Sequence, residues 1–131
     1  MTRTKVLAAA LALPLVLAAC GGGDDDADSS GGDTPSTADL VVVGSDPARF
    51  DKAEYSLGSG LMTIELVNEG SLAHTLVIET AEGEDIDGFK ISTAGGQTKD
   101  ASVSLEPGTY ALYCDIAGHR SQGMEAVLTV A

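Results

Sequence analysis

Cys114-Asp115-Ile116-Ala117-Gly118-His119-Arg120-Ser121-Gln122-Gly123-Met124, which follows the strand-like run Gly108-Thr109-Tyr110-Ala111-Leu112-Tyr113, decides how the rest of the chain is read. These eleven residues carry a thiol, an imidazole and a thioether at a C-x4-H-x4-M spacing. A second imidazole, His74, stands forty residues before Cys114, so both histidines of the chain join one set. With two His and three Met in 131 residues, a given cysteine meets this spacing by chance about once in 3,000 cases. Taken singly, His119 reads as a polar loop residue and Met124 as a core filler.

Strand parity joins them. Successive strand residues face opposite sides. In Tyr110-Ala111-Leu112-Tyr113-Cys114 the thiol shares a face with Tyr110 and Leu112. In His74-Thr75-Leu76-Val77-Ile78-Glu79 the imidazole falls with Leu76 and Ile78, and Glu79 points away. Met124 falls with Ala126, Leu128 and Val130, opposite Glu125 and Thr129. Three candidate ligands therefore sit at strand ends on the core side, with His119 in the loop between two of them. Two imidazoles and a thiolate around a weak axial thioether form the ligand set of a blue-copper electron-transfer centre.

The N-terminus reads as an export signal. Arg3 and Lys5 give a basic start, and residues 6–17 form an apolar run interrupted by Pro14, too short to span a bilayer. Leu17-Ala18-Ala19-Cys20 resembles a bacterial lipobox, which implies that residues 1–19 are removed and that Cys20 carries lipid. No twin-arginine pair is present, so general secretion is the simpler route. An ordinary cleaved signal with an incidental cysteine is the alternative. With Cys20 lipidated, Cys114 is the remaining thiol in an oxidising compartment. Such a cysteine is reactive, intermolecular or a metal ligand, and the metal reading also accounts for the histidines.

Residues 21–37 contain no large apolar side chain, and their Gly, Ser and Asp content makes a flexible, extended acidic linker. Residues 20–37 are thus expected to tether a domain spanning 38–131 to the outer face of the cytoplasmic membrane. The net charge is −13, and removing residues 1–19 takes away two cations and no acid, leaving −15. That balance argues against nucleic-acid binding and favours redox partner proteins with a basic surface, or serves plain solubility.

From Ala38 onward the pattern is short strands punctuated by turns, with no amphipathic helical stretch. Strands are expected near 39–43, 54–57, 62–68, 75–79, 88–92, 99–105, 109–114 and 125–130, separated by breakers such as Gly58-Ser59-Gly60 and Glu106-Pro107-Gly108. About eight short strands in 94 residues predict an all-β sandwich with a small aliphatic core, which a bound metal would stabilise.

Asn68-Glu69-Gly70 before His74, Pro107-Gly108-Thr109-Tyr110, Tyr113-Cys114, Gly118-His119 and Gly123-Met124 together resemble the cupredoxins, the family of plastocyanin, azurin and auracyanin, over residues 38–131. The resemblance implies a Greek-key β-sandwich with one type 1 copper ion at a loop end. It assigns His74 and His119 as equatorial imidazoles, Cys114 as the thiolate and Met124 as the long axial contact. It also places Thr75 where a backbone group supports the thiolate. Four residues between Cys114 and His119 are more than plastocyanin has, and the loop's length is closer to azurin-like and auracyanin-like loops. Asp115 and Arg120 make the surface around His119 more polar.

The expected function is therefore a membrane-tethered, exported, monomeric electron carrier rather than an enzyme. Copper capture and delivery is the alternative that the same ligands allow. A metal-free Ig-like binding lipoprotein and a hydrolase built on a Cys114–His119 pair stand further off, the latter because no orienting acid or oxyanion motif accompanies the pair.

Overall fold

Alternation of apolar and polar side chains sets the strands, and the computed structural model, which describes residues 35–131, follows that alternation. In β4, Gly60–Asn68, the side chains of Met62, Ile64, Leu66 and Asn68 are buried and those between them are not. In β9, Glu125–Val130, Ala126, Leu128 and Val130 are buried in the same rhythm. Burying each Ile or Leu is worth about 1.5–3 kcal/mol. A one-residue slip would turn the whole set to solvent, so the apolar pattern fixes the register.

The described residues form nine strands. Besides β4 and β9 these are β1 (Leu40–Ser45), β2 (Arg49–Phe50), β3 (Glu54–Leu57), β5 (His74–Glu79), β6 (Ile91–Thr93), β7 (Thr98–Leu105) and β8 (Gly108–Tyr113). One sheet has the order β2-β1-β4-β7 and the other β3-β9-β8-β5-β6. Pairing is antiparallel except between β1 and β4 and between β3 and β9. The chain passes repeatedly from one sheet to the other, which makes the all-β Greek-key sandwich expected from the sequence. Val42, Ile64 and Leu66 of one sheet and Leu76, Leu112 and Leu128 of the other meet in a single core.

Two details differ from expectation. Arg49–Phe50 adds a ninth strand, a two-residue edge paired with Ser45 and Gly44. The strand expected over 88–92 starts later, at Ile91, where pairing with Leu76 begins. Before it, Gly88 takes a φ of 75° and the Phe89 N–H bonds to the Ile86 carbonyl, so the chain is still turning there. The signal segment, Cys20 and most of the linker lie outside the described residues.

Register brings the proposed ligands to one end. His74 opens β5, Tyr113 closes β8 and Glu125 opens β9, with Tyr113 paired to both Val77 and Glu125. The other sheet reaches the same end through Gly44 of β1, where an added Cβ would lie 3.1 Å from Met124 Cε and 3.5 Å from His74 Cδ2. A side chain there would press on the end of Met124, so glycine lets β1 pack closely on the site. At the far end the Ser59 N–H bonds to the Ala131 carbonyl, so the C-terminus lies away from the site.

Candidate metal centre

The loop from Cys114 to Met124 is held in shape by its own backbone. Cys114 N–H donates to the Met124 carbonyl at 3.1 Å, and Met124 N–H donates to the His119 carbonyl at 3.1 Å. His119 N–H bonds to Ile116, and a single 3₁₀ turn at Arg120–Gln122 is stopped by Gly123 at a φ of 107°. Glycine adopts that left-handed conformation at little cost, so Gly123 can return the chain to β9 with Met124 pointing inward. Cys114 and Met124 are both fully buried, beside Ala48.

His74, Cys114 and His119 each bring a donor atom to one point, all within 4.8 Å of one another. Cys114 Sγ lies 3.4 Å from His119 Nδ1, and the two imidazole rings are 5.2 Å apart. His74 is fully buried, whereas His119 is half-buried. Cys114 is the free cysteine among the described residues.

Among the described residues, neither ring nitrogen of His74 has a hydrogen-bond partner. A buried polar group left unpaired costs about 1–3 kcal/mol, so a chain that keeps this one has a use for it. Asp46 Oδ1 lies 3.6 Å from His74 Nε2, near enough for charge attraction but too far for a hydrogen bond. Burial pushes the His74 pKa down, the nearby His119 adds to the shift, and Asp46 opposes it. The imidazole is therefore neutral at ordinary pH and keeps a lone pair for a metal. Two imidazoles, a cysteine sulfur and a thioether fit a soft first-row metal, and the cluster gives no hard oxygen ligand to calcium or magnesium.

Supporting contacts surround the donors. Thr75 N–H donates to Cys114 Sγ at 3.3 Å, the backbone support expected at that position. Asp46 accepts the Ser71 hydroxyl at 2.6 Å and the N–H groups of Ser71 and Leu72, and the Ser71 hydroxyl leads in holding its carboxyl down at about 2. Gly70 allows this approach, because a Cβ there would fall on the Asp46 carboxylate. Asp115 and Arg120, the charged residues of the loop, are both paired in the fold. Asp115 is bound to Thr75 and Lys90, and Arg120 to Glu79 and Glu125.

Sequence reasoning found all four residues gathered here but missed Gly44, Asp46 and Lys90. The glycine sits in an ordinary apolar run, Val41-Val42-Val43-Gly44, and its role depends on β1 lying across the sandwich. Asp46 and Lys90 belong to a polar surface by composition, and only the fold aims them at the site.

A sequence model of the copper-binding proteins of the plastocyanin/azurin family matches residues 37–131. The chain belongs to that family. As a cupredoxin it takes one type 1 copper ion as its cofactor, and the unpaired His74 nitrogens and the converging soft donors suit that ion. Among solved structures it is similar to an auracyanin from the photosynthetic bacterium Roseiflexus castenholzii, with a TM-score of 0.63 at 20% identity, covering 70% of this chain and 95% of that one. An azurin from the methylotroph Methylomonas sp. strain J gives 0.60 at 13% identity, over 73% and 99% of the two chains. A purple cupredoxin from Nitrosopumilus maritimus gives 0.54 at 19% identity, over 71% and 100%. At such identities the likeness establishes the cupredoxin fold. No curated protein sequence matches the chain.

Proposed function

We propose that this cupredoxin is an electron carrier, tethered outside the cytoplasmic membrane, which passes single electrons between redox partner proteins. His74, Cys114, His119 and Met124 would hold the copper ion, the imidazoles and the thiolate as its strong donors and the thioether as a weak one. Bound there, copper supplies a one-electron couple between Cu(II) and Cu(I), and the mixture of imidazole with soft sulfur ligands serves both states. The observation that carries the reading is the convergence of three donors within 4.8 Å at a site where His74, Cys114 and Met124 are fully buried and His119 alone is half-exposed.

The chain's residues divide the work. The loop hydrogen bonds fix Cys114, His119 and Met124 before metal arrives, and the sandwich fixes His74. With Asp46 near its Nε2, His74 would offer Nδ1 to the ion, and the carboxylate would steady the ring. Every strong ligand position is filled by protein, which leaves no open position for substrate and favours a carrier over an enzyme. Of the four residues His119 is the one that is not fully buried, so a partner would come nearest the site there. The lipobox-like Cys20 and the acidic linker support a lipid anchor on the outer face, and the net charge of −13 favours a partner with a basic surface. We take the carrier to be a monomer.

The test is voltammetry of the purified copper-loaded chain, followed by metal analysis. A reversible one-electron wave with copper retained through repeated cycles supports electron transfer. Loss of copper on reduction would make the protein a copper-delivery lipoprotein instead.

A further inference from the structure

Thr75 has one hydroxyl proton and two acceptors within its reach. Its Oγ1 lies 2.7 Å from Asp115 Oδ1 and 3.3 Å from Cys114 Sγ, and it accepts the Asp115 backbone N–H at 3.0 Å. The Thr75 backbone N–H separately donates to the same sulfur at 3.3 Å. A hydroxyl donates once, and an ionised carboxylate at a short distance is a stronger acceptor than a sulfur further off. The proton goes to Asp115. Lys90 Nζ holds the second carboxylate oxygen, Oδ2, so the first stays turned toward Thr75.

We propose that Asp115 is a positioning residue that withholds the Thr75 hydroxyl from the Cys114 sulfur and so lowers the reduction potential of the site. The proposal rests on Cys114 being the copper thiolate. Hydrogen bonding around that sulfur tunes the potential of such sites. Each donor draws electron density from the sulfur, weakens its donation to the oxidised ion and raises the potential. With the hydroxyl diverted, Thr75 gives the sulfur its backbone N–H alone. Asp115 and Lys90 lie 40 and 15 residues from Thr75 in sequence, so the arrangement exists only in the folded sandwich.

The experiment is a mutant cycle on the copper-loaded full chain, with Asp115→Ala, Thr75→Val and the double variant, read by midpoint potential and by the energy of the sulfur-to-copper absorption band. Removing a negative charge near the site raises the potential by itself, and the cycle separates that effect from the released hydroxyl. Asp115→Ala should raise the potential more when Thr75 is present than in the Thr75→Val background, and should shift the band only when the hydroxyl is there. Thr75→Val alone should leave the band where it is. Asp115→Asn, which keeps an acceptor but loses the charge, should fall between wild type and Asp115→Ala. Additive potentials would show that Asp115 does not act through the hydroxyl, and a band that moves in Thr75→Val would show that the hydroxyl already serves the sulfur; either would overturn the inference. A wild-type chain with no such band would overturn the thiolate reading along with it, whereas an additive cycle on a coloured wild type overturns this inference alone.

Discussion

Arg120 grips Glu79 through two hydrogen bonds of 2.9 Å, one from each terminal nitrogen of the guanidinium. The same group lies 4.2 Å over the Tyr113 ring and also bonds to Glu125. Arg120 follows His119 in the chain, so these contacts tie the loop carrying three of the proposed ligands to the ends of β5, β8 and β9.

Replacing Arg120 by alanine should therefore loosen the loop without unfolding the sandwich. Amide hydrogen exchange in the metal-free chain should quicken across 116–123 while the β4 amides keep their rate. Arg120→Lys should not restore protection, because an ammonium group cannot make the planar two-pronged contact. Equal loop exchange in wild type and Arg120→Ala would count against the clamp.

Acid should weaken the same region. The Arg120 hydrogen bonds hold the Glu79 carboxyl below its ordinary 4.5, and the Ser71 hydroxyl leads in holding Asp46 below its ordinary 3.8, at about 2. The folded chain thus favours both ionised forms. The stability they contribute is complete above the ordinary values and is lost as pH falls through the folded ones. The thermal midpoint of the metal-free chain should drop between about pH 5 and pH 2, and Glu79→Gln with Asp46→Asn should flatten that drop. The same slope in wild type and double variant would rule these two groups out as its source.

The core prediction contrasts two leucines. Leu112 is fully buried between the sheets, whereas Leu61 is 81% exposed. Leu112→Ala should cost about 2–5 kcal/mol in denaturant unfolding, from lost transfer energy and the cavity left behind. Leu61→Ala should stay within about 0.5 kcal/mol of wild type. Similar losses at the two positions would mean that the sheets do not pack as described.

How much the sequence revealed depends on residue type. Cys, His and Met are scarce in this chain, so their spacing stands out, and β9 alternates so regularly that Met124 could be placed on the core side by parity. β5 is different. Its first five residues are all buried, so the parity that put His74 with Leu76 and Ile78 marks no contrast of inside against outside there, and the imidazole's chemistry is the stronger signal. The two-residue β2 is too short to carry a period. The Thr75–Asp115–Lys90 cluster was invisible because it depends on how β5 lies against β8 and on the turn before β6, and neither follows from local pattern.

Met124→Leu should retain copper and raise the midpoint potential, because a hydrocarbon in place of the thioether would give the oxidised ion less support. Comparison of wild type and variant by voltammetry checks it. An unchanged potential would remove Met124 from the ligand set.

The most direct test of the copper assignment is the visible absorption spectrum of the oxidised, Cu(II)-loaded chain beside that of Cys114→Ser. The account predicts an intense blue band in the wild type, bleached on reduction and missing from a Cys114→Ser protein that remains folded. A wild type that binds no copper, or a Cys114→Ser variant that stays equally blue, would contradict it.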